Sequence, residues 1–450
     1  MKALRLLPLA LAALLALPGC VSNDPAAESE LAAARERLDP LPRAGDSIDV
    51  ILRAPPSDPR LDEALATAPT LEVVAETAVR RNPDLKAALE RWVAYLERPA
   101  QRLAPPSPML RYQYQSMFKM MEVGADLATP FPTKLVTEAH AALAEAEAVG
   151  ADYRATENAL RARAASAFSV LYLARRQVEI VDENLRLLAR FVEVARTRYK
   201  TGTASLPDVL RVETERESLL VAREVLAKNV EIAQSSLNVL LDRAPEEPIG
   251  SLASPPDPEK PGALGSFYER ALERRPELAA AKARAASSAL GISRAAQEWL
   301  PDFALGTAYV RDFGGQRDFV DVTAGISLPW LLGPSVAARV REAEAGRRVA
   351  EAEARSARNT VLDEVKSSHA RVEATAAQYR RLAAEVIPRV RKNLEASEAA
   401  YMAGQVDFLS LIDTQRTLLS ALLEKEAALS EYTARRAELV RATGGAEPDR

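Results

Sequence analysis

The sequence is poor in the residues that carry most protein chemistry. It has one cysteine, Cys20, and two histidines, His140 and His369, in 450 residues. A single thiol forms no disulfide within its own chain, so rigidity has to come from packing or assembly. The two histidines fall in different helical segments without partners at ligand spacing, which leaves a metal site without donors. No Gly-rich phosphate loop, nucleophile elbow or metal motif occurs, so neither a catalytic residue nor a cofactor is expected. Basic blocks are missing as well. Lys and Arg total 59 against 63 Asp and Glu, a formal net charge of -4, which gives no reason to expect a nucleic-acid partner. Beyond the N-terminus no apolar stretch reaches the roughly 20 residues of a membrane helix. Any entry into a bilayer, a lipid aside, therefore has to use strands.

What is present begins with a secretion pattern. Lys2 and Arg5 precede an apolar run from Leu6 to Leu17, and the run ends in Leu17-Pro18-Gly19-Cys20. This resembles a bacterial lipobox, in which the cysteine thiol is acylated and becomes the first mature residue. The alternative is an ordinary signal peptide that happens to contain a cysteine. Residues 1–19 are thus expected to be a lipoprotein signal peptide. Residues 20–68, rich in Pro, Ala and Asp with little periodicity, are expected to be a lipid-anchored extended tether.

From about Leu71 the chain turns Ala-, Glu-, Arg- and Leu-rich with apolar residues at helical spacing. Two stretches break that rhythm and alternate with a period of two. In the first, about 109–130, Leu110, Tyr112, Tyr114, Ser116 and Phe118 alternate with Arg111, Gln113, Gln115, Met117 and Lys119. After a turn, Val123, Ala125, Leu127 and Thr129 alternate with Glu122, Gly124, Asp126 and Ala128. In the second, about 302–329, Phe303, Leu305, Thr307 and Tyr309 lead to a tip at Phe313-Gly314-Gly315-Gln316. Val320, Val322, Ala324, Ile326 and Leu328 then return. Strands of about ten residues with one apolar face suit a tilted crossing of a bilayer.

The hairpins belong to a longer repeat. Ala78-Val79-Arg80-Arg81-Asn82-Pro83-Asp84-Leu85 matches Ala271-Leu272-Glu273-Arg274-Arg275-Pro276-Glu277-Leu278 at an offset of 193. Tyr199-Lys200-Thr201-Gly202 matches Tyr401-Met402-Ala403-Gly404 at an offset of 202. A period near 200 residues implies a duplicated half rather than a solenoid unit. The halves are expected at 69–262 and 263–445, with helical turns near 202 and 404. Residues 133–199 form one uninterrupted helical stretch, about 100 Å if continuous. Its counterpart, 334–400, has Pro388 as the one expected kink. The fold class is mainly α with a small β part: long antiparallel helices and four strands per chain. Four strands cannot close a barrel, and open edges in lipid cost several kcal/mol per unsatisfied group. Three copies would give a twelve-stranded transmembrane barrel and a trimeric α-helical barrel.

These features together resemble the TolC-like outer-membrane efflux proteins. The residues that carry the resemblance are the two Tyr-x-x-Gly turns, the Asn-Pro-Asp-Leu and Arg-Pro-Glu-Leu helix starts and the two strand hairpins. The short first hairpin, with Met121-Glu122-Val123-Gly124 and Pro130-Phe131-Pro132-Thr133-Lys134-Leu135, looks most like the heavy-metal-efflux branch. The resemblance implies a homotrimer in the outer membrane of a Gram-negative bacterium, most of it periplasmic, docking through a periplasmic adaptor onto an inner-membrane pump. It further implies that the turns at Gly202 and Gly404 contact the adaptor and that Asp208 and Tyr401 line a periplasmic constriction. Some members have a gating arginine two residues after the second glycine; Val406 stands there in this chain.

Blander readings stand beside these. Asp208 is either one of a ring of carboxylates or a helix N-terminal cap behind Pro207. Tyr199 and Tyr401 are gate contacts or simply pack on the return helix. Met109, Met117, Met120 and Met121 are strand filler before they are soft-metal ligands. Glu213, Glu215, Arg216 and Glu217 read as a solvated helix face. The function expected is a passive exit duct for efflux, with heavy-metal cations as one cargo. The alternatives are a duct for secreted polypeptides or organic drugs, and a periplasmic coiled-coil adaptor or structural lipoprotein.

Overall fold

The computed structural model describes residues 59–314 and 317–445. Cys20, the signal segment and most of the tether lie outside the described residues, as do Gly315 and Gln316 of the second hairpin tip. The tether expectation needs one correction. Pro59–Thr67 is a helix, α1, because Leu61 and Leu65, four residues apart, are buried on one face.

Three helices and a hairpin follow before the first long helix: α2 (Leu71–Arg81), α3 (Pro83–Leu96), α4 (Arg98–Leu103), β1 (Met109–Gln115) and β2 (Met120–Thr129). Then come α5 (Pro132–Lys200) and α6 (Leu206–Leu240). The second half brings α7 (Leu264–Arg274), α8 (Pro276–Gln297), β3 (Phe303–Asp312), β4 (Phe319–Ile326), a 3-10 turn (Pro329–Leu332) and α9 (Gly333–Arg381). A π turn (Leu382–Val386), α10 (Ile387–Met402) and α11 (Phe408–Ala442) complete it. The bounds of α7 are those of α2 shifted by 193, and the bounds of α11 are those of α6 shifted by 202.

Prolines set the breaks. Asn82 and Arg275 each precede a proline, leave helical space at ψ 123° and 119°, and end α2 and α7. Pro83 and Pro276 then open the next helices, where a missing N–H costs nothing. Pro388 lacks the N–H that would bond the preceding turn, and the chain widens just before it into the π turn. There the Ile387 N–H reaches the Leu382 carbonyl. The expected kink is therefore a local widening. In α5 the close-packed face is largely alanine: Ala139, Ala142, Ala144, Ala146, Ala148 and Ala151 are buried. Gly150 lies under Trp92, where a Cβ would stand 2.7 Å from the indole nitrogen.

The described residues form two compact units: one holds 89–152 and 279–357, the other 59–88, 153–278 and 358–445. The first contains the antiparallel sheet β1-β2-β3-β4. Its register pairs Tyr112 with Val123, Val123 with Tyr309, and Tyr309 with Val320, and likewise Leu110 with Ala125, Ala125 with Thr307, and Thr307 with Val322. One face thus carries Leu110, Tyr112, Tyr114, Val123, Leu127, Phe303, Leu305, Val320, Val322 and Ile326. The other carries Arg111, Gln113, Glu122, Asp126, Asp321 and Thr323, with Arg111 bound to Glu122 at 2.9 Å and to Asp126 at 3.4 Å. The apolar face is open: Leu110 is 78% and Val322 67% exposed.

The first hairpin turns earlier than the alternation suggested. Residues 116–119 form the turn, with Lys119 at φ 50°, and Met120 pairs with Gln115. Ser116, Phe118 and Met117 therefore leave the strand. Pairing along the whole of β3, from Met120–Asp312 to Thr129–Phe303, fixes where β2 must begin. The second hairpin ends its ladder at Ile326 rather than Leu328, because Pro329 opens the 3-10 turn.

In the second unit one apolar core joins α5, α6, α10 and α11 through Leu188, Phe191, Val212, Leu394, Phe408 and Ile412. A second joins α7, α9 and α11 through Phe267, Val365, Val372 and Tyr432. Among the described residues no helix is long and apolar enough to cross a membrane.

Candidate functional site

The second unit holds the two turns singled out by sequence, and both are built alike. Gly202 and Gly404 each sit at φ +74°, a left-handed conformation that a side chain resists. The Gly202 N–H bonds the Tyr199 carbonyl at 3.0 Å and the Thr203 N–H bonds that of Arg198 at 2.8 Å. At the second turn Gly404 bonds Tyr401 at 3.0 Å and Gln405 bonds Ala400 at 2.8 Å. This paired closure uses up the last carbonyls of α5 and α10.

The helices that leave the turns are capped by one device with its residues exchanged. Before α6, the Ser205 N–H donates to Asp208 Oδ2 at 3.0 Å and the Ser205 hydroxyl donates to the same oxygen at 2.8 Å. Before α11, the Ser410 N–H donates to Asp407 Oδ1 at 3.0 Å. Hydrogen bonds from the Ser410 backbone and hydroxyl hold the Asp407 carboxyl below the usual aspartate range. Asp407 and Ser410 are Ser205 and Asp208 shifted by 202. Asp208 is thus the N3 member of a capping pair, and the cap reading of it is met.

Tyr401 is buried, 5% exposed, edge-on to Phe408 with ring centroids 5.3 Å apart. Of the two readings, packing on the return helix is what the structure contains. Its hydroxyl has no hydrogen-bond partner. Burial pushes the phenol above its ordinary pKa; the Arg198 charge pulls it back and the Asp208 charge adds to the rise. Asp208 and Tyr401, called separately from sequence, are therefore electrostatic neighbours. A cavity of about 200 Å³ lies beside Tyr401, walled by Phe191, Val194, Met402, Phe408 and Leu411, with Arg190 and Glu398 at its polar side.

Sequence reasoning missed Arg198. Its Nη1 donates to the Tyr401 carbonyl, its guanidinium carbon lies 4.6 Å from the Tyr401 ring centre, and its Nη2 reaches the Thr203 carbonyl at 3.4 Å. One side chain from the end of α5 thus ties the first turn to the second. No repeat signal pointed to it, because the equivalent position is Ala400. The acidic stretch on α6 needs correction at two of its four residues, while Arg216 and Glu217 pair with each other on an exposed face. Glu213 accepts from Arg196 at 2.7 Å, and Glu215 accepts from Arg416 of α11, so these two half-buried carboxylates join helices. Deeper in, the Gln415 amide donates to Asn184 at 2.7 Å, a buried polar link between α11 and α5.

The remaining candidates are dispersed. His369 bonds the Gly262 carbonyl at 2.9 Å and packs against Phe267. Met109 opens β1, Met117 lies in the turn, and Met120 and Met121 open β2 on opposite faces, which separates the thioethers.

Comparison with known proteins agrees with this architecture. Residues 267–445 match the family model described as outer membrane efflux protein. Over 272 residues, 58% of the chain, it is 22% identical to the cobalt-zinc-cadmium resistance protein CzcC of Cupriavidus metallidurans. That match spans 62% of CzcC, less than two thirds of its length. The fold is shared with the outer-membrane channel OprN, at TM-score 0.70 and 22% identity over 84% of this chain and 90% of that one. CusC gives 0.73 at 16% identity over 87% and 98%. VceC of Vibrio cholerae gives 0.68 at 19% identity over 83% and 96%. The family's sequence pattern over 267–445, together with a fold shared over most of the chain, makes this protein similar to the outer membrane efflux proteins.

Proposed function

We propose that the protein is the outer-membrane exit duct of a tripartite efflux system, a homotrimer whose twelve strands close one barrel. The observation that carries this reading is the sheet. It has an exposed apolar face, a polar opposite face and two unpaired edges, β1 and β4. Four antiparallel strands leave those edges running in opposite directions. The β4 edge of one copy therefore pairs antiparallel with the β1 edge of the next, and a ring leaves no backbone group bare in lipid. The 193- and 202-residue offsets between matching helices support descent of the two halves from one duplicated unit.

Cys20 is the lipid attachment in this reading. Gly202 and Gly404 present the helical turns to a periplasmic adaptor, and Asp208 with Tyr401 lies at the constriction, an inner-membrane pump supplying the energy. The cargo proposed is a heavy-metal cation, supported by the similarity to CzcC, a cobalt-zinc-cadmium resistance protein. The duct performs no bond-making step. The test is a membrane extract run without boiling: a detergent-resistant trimer that conducts ions in planar bilayers is expected. A clean soluble monomer would refute the duct and favour a structural lipoprotein.

A further inference from the structure

The two long helical runs differ in length by one residue. α5 has 69 residues, while α9, the π turn and α10 have 49, 5 and 16, which is one more. The buried positions show where the extra residue falls. Leu160, Leu171 and Val181 are buried on α5, and so are Val361, Val372 and Leu382, each 201 residues on. Nearer the turns the spacing is 202: Val192 and Leu394 are both buried, and Tyr401 and Gly404 stand 202 after Tyr199 and Gly202. The step from 201 to 202 therefore lies between Leu382 and Leu394, the stretch that opens with the π turn.

Helix geometry gives the reason. Leu382 and Ile387 are five residues apart and both buried, at 9% and 7% exposure. In an α-helix five residues turn the chain through about 500°, which would set these side chains about 140° apart. The bond from the Ile387 N–H to the Leu382 carbonyl closes the five residues into roughly one turn instead, and Ile387 comes back beneath Leu382. Pro388, without an N–H for the Ala384 carbonyl, marks a place where regular bonding is already broken.

We propose that the π turn is a length adjuster. It takes up the one residue by which the second run exceeds the first, so the buried faces above and below it both stay on the core and Gly404 ends level with Gly202. A regular helix of the same length would carry Tyr401 about 1.5 Å further and about 100° round its axis. That would take it off Phe408 and away from Arg198, which bonds its carbonyl. For the duct proposed above, levelling makes one docking surface of the two turns. That consequence rests on the duct reading; the levelling does not.

The test is hydrogen exchange of the full-length protein in detergent, on a Pro388→Ala background that removes the proline's own break. Pro388→Ala alone keeps the extra residue, so Gly404 and Gln405 should keep their protection. Deleting Ala384 as well shortens the second run to the length of the first. The π turn then becomes ordinary helix, and the Gly404 and Gln405 amides should stay within about threefold of wild type. Deleting Ala370 instead, another exposed alanine of the same run, puts Glu373 where Val372 was buried. Amides around Val372 and Ala376 should then exchange more than about tenfold faster. The two deletions lose the same residue type, so position alone distinguishes them. An Ala384 deletion as damaging as the Ala370 deletion, unfolding included, overturns the adjuster, and so does an Ala370 deletion without effect. Planar-bilayer conductance is recorded alongside: a folded wild type that does not conduct overturns the duct, while exchange still decides the levelling.

Discussion

Arg198→Ala isolates what one side chain contributes to holding the two turns together. The guanidinium makes a charge-assisted bond to the Tyr401 carbonyl and stacks 4.6 Å from that ring, while the contact to Thr203 at 3.4 Å adds little. A hydrogen bond to a charged group is worth about 1.5–3 kcal/mol and a partly exposed cation–π contact about 0.5–1. The freed carbonyl at the end of α10 regains water, so the net loss falls to about 1–2 kcal/mol, a factor of ~5–30 in local opening. Hydrogen exchange of the reconstituted protein reads this directly. The Gly404 and Gln405 amides, which close the second turn on Tyr401 and Ala400, should exchange ~5–30-fold faster in the variant. Amides of α7 and α8 should not change. Arg198→Lys keeps the charge but loses the planar fork, so it should fall between the two. Equal protection at Gly404 in wild type and Arg198→Ala would show that the turns are held by their own apolar packing.

Other substitutions separate packing from passage. Tyr401→Phe removes a buried hydroxyl without a partner, so thermal stability should hold or rise by up to about 1 kcal/mol; a clear loss would mean the hydroxyl is bonded in the assembly. Gly202→Ala and Gly404→Ala should each cost about 1–2 kcal/mol from the left-handed backbone alone, because the nearest atom to either new Cβ is Arg198 Nη2 at 3.7 Å from Gly404. Unchanged unfolding midpoints would contradict that φ. Arg275 is 3% exposed and bonds Glu277, Glu364 and the Ala442 carbonyl, so Arg275→Ala should cost about 3–5 kcal/mol in denaturant titration. Burial alone would raise the Glu364 carboxyl, but bonds and charge from Arg275 and Arg441 hold it lower. Wild-type stability from this group is therefore complete above the unfolded glutamate pKa and fades as pH falls through the lower folded value. That acid dependence should flatten in Arg275→Ala, and an unaltered profile would exclude the cluster as its source. Asp208→Ala should cost about 1 kcal/mol as a lost cap. A change of cation preference in planar bilayers would add the constriction role, and unchanged conductance would leave only the cap.

Legibility followed the range of the interactions. Strand alternation was readable because a period of two cannot be mistaken for the alanine-rich helical rhythm around it, and the register keeps that alternation across all four strands. The glycine turns were readable because a left-handed residue at a helix end has few occupants. The turn at 116–119 was not, since its place is fixed by how far β2 runs along β3, a contact almost 200 residues away in sequence. Helix α1 was hidden by composition: Pro59 and the acidic residues look like tether, and only Leu61 and Leu65 betray a buried face.

The site residues divide along the same line. Asp208 could be found because a cap is local; its partner Ser205 is three positions away. Arg198 could not, because an arginine in the last turn of a helix is ordinary dipole compensation until a second turn is brought beside it. The repeat itself misled there. Positions that match between the two stretches share what each stretch needs alone, which is the glycine closure, the capping pair and the proline break. A contact that ties one half to the other has no duplicate to announce it. Asn82 and Arg275 illustrate this within one pair of equivalent positions. Both reach the carbonyl at the end of the matching return helix, Leu240 at 3.2 Å and Ala442 at 3.0 Å. Only Arg275 goes on to gather Glu277 and Glu364 from neighbouring elements. The bond the two residues share therefore goes with their matching places, 193 residues apart, while the charge cluster is particular to Arg275.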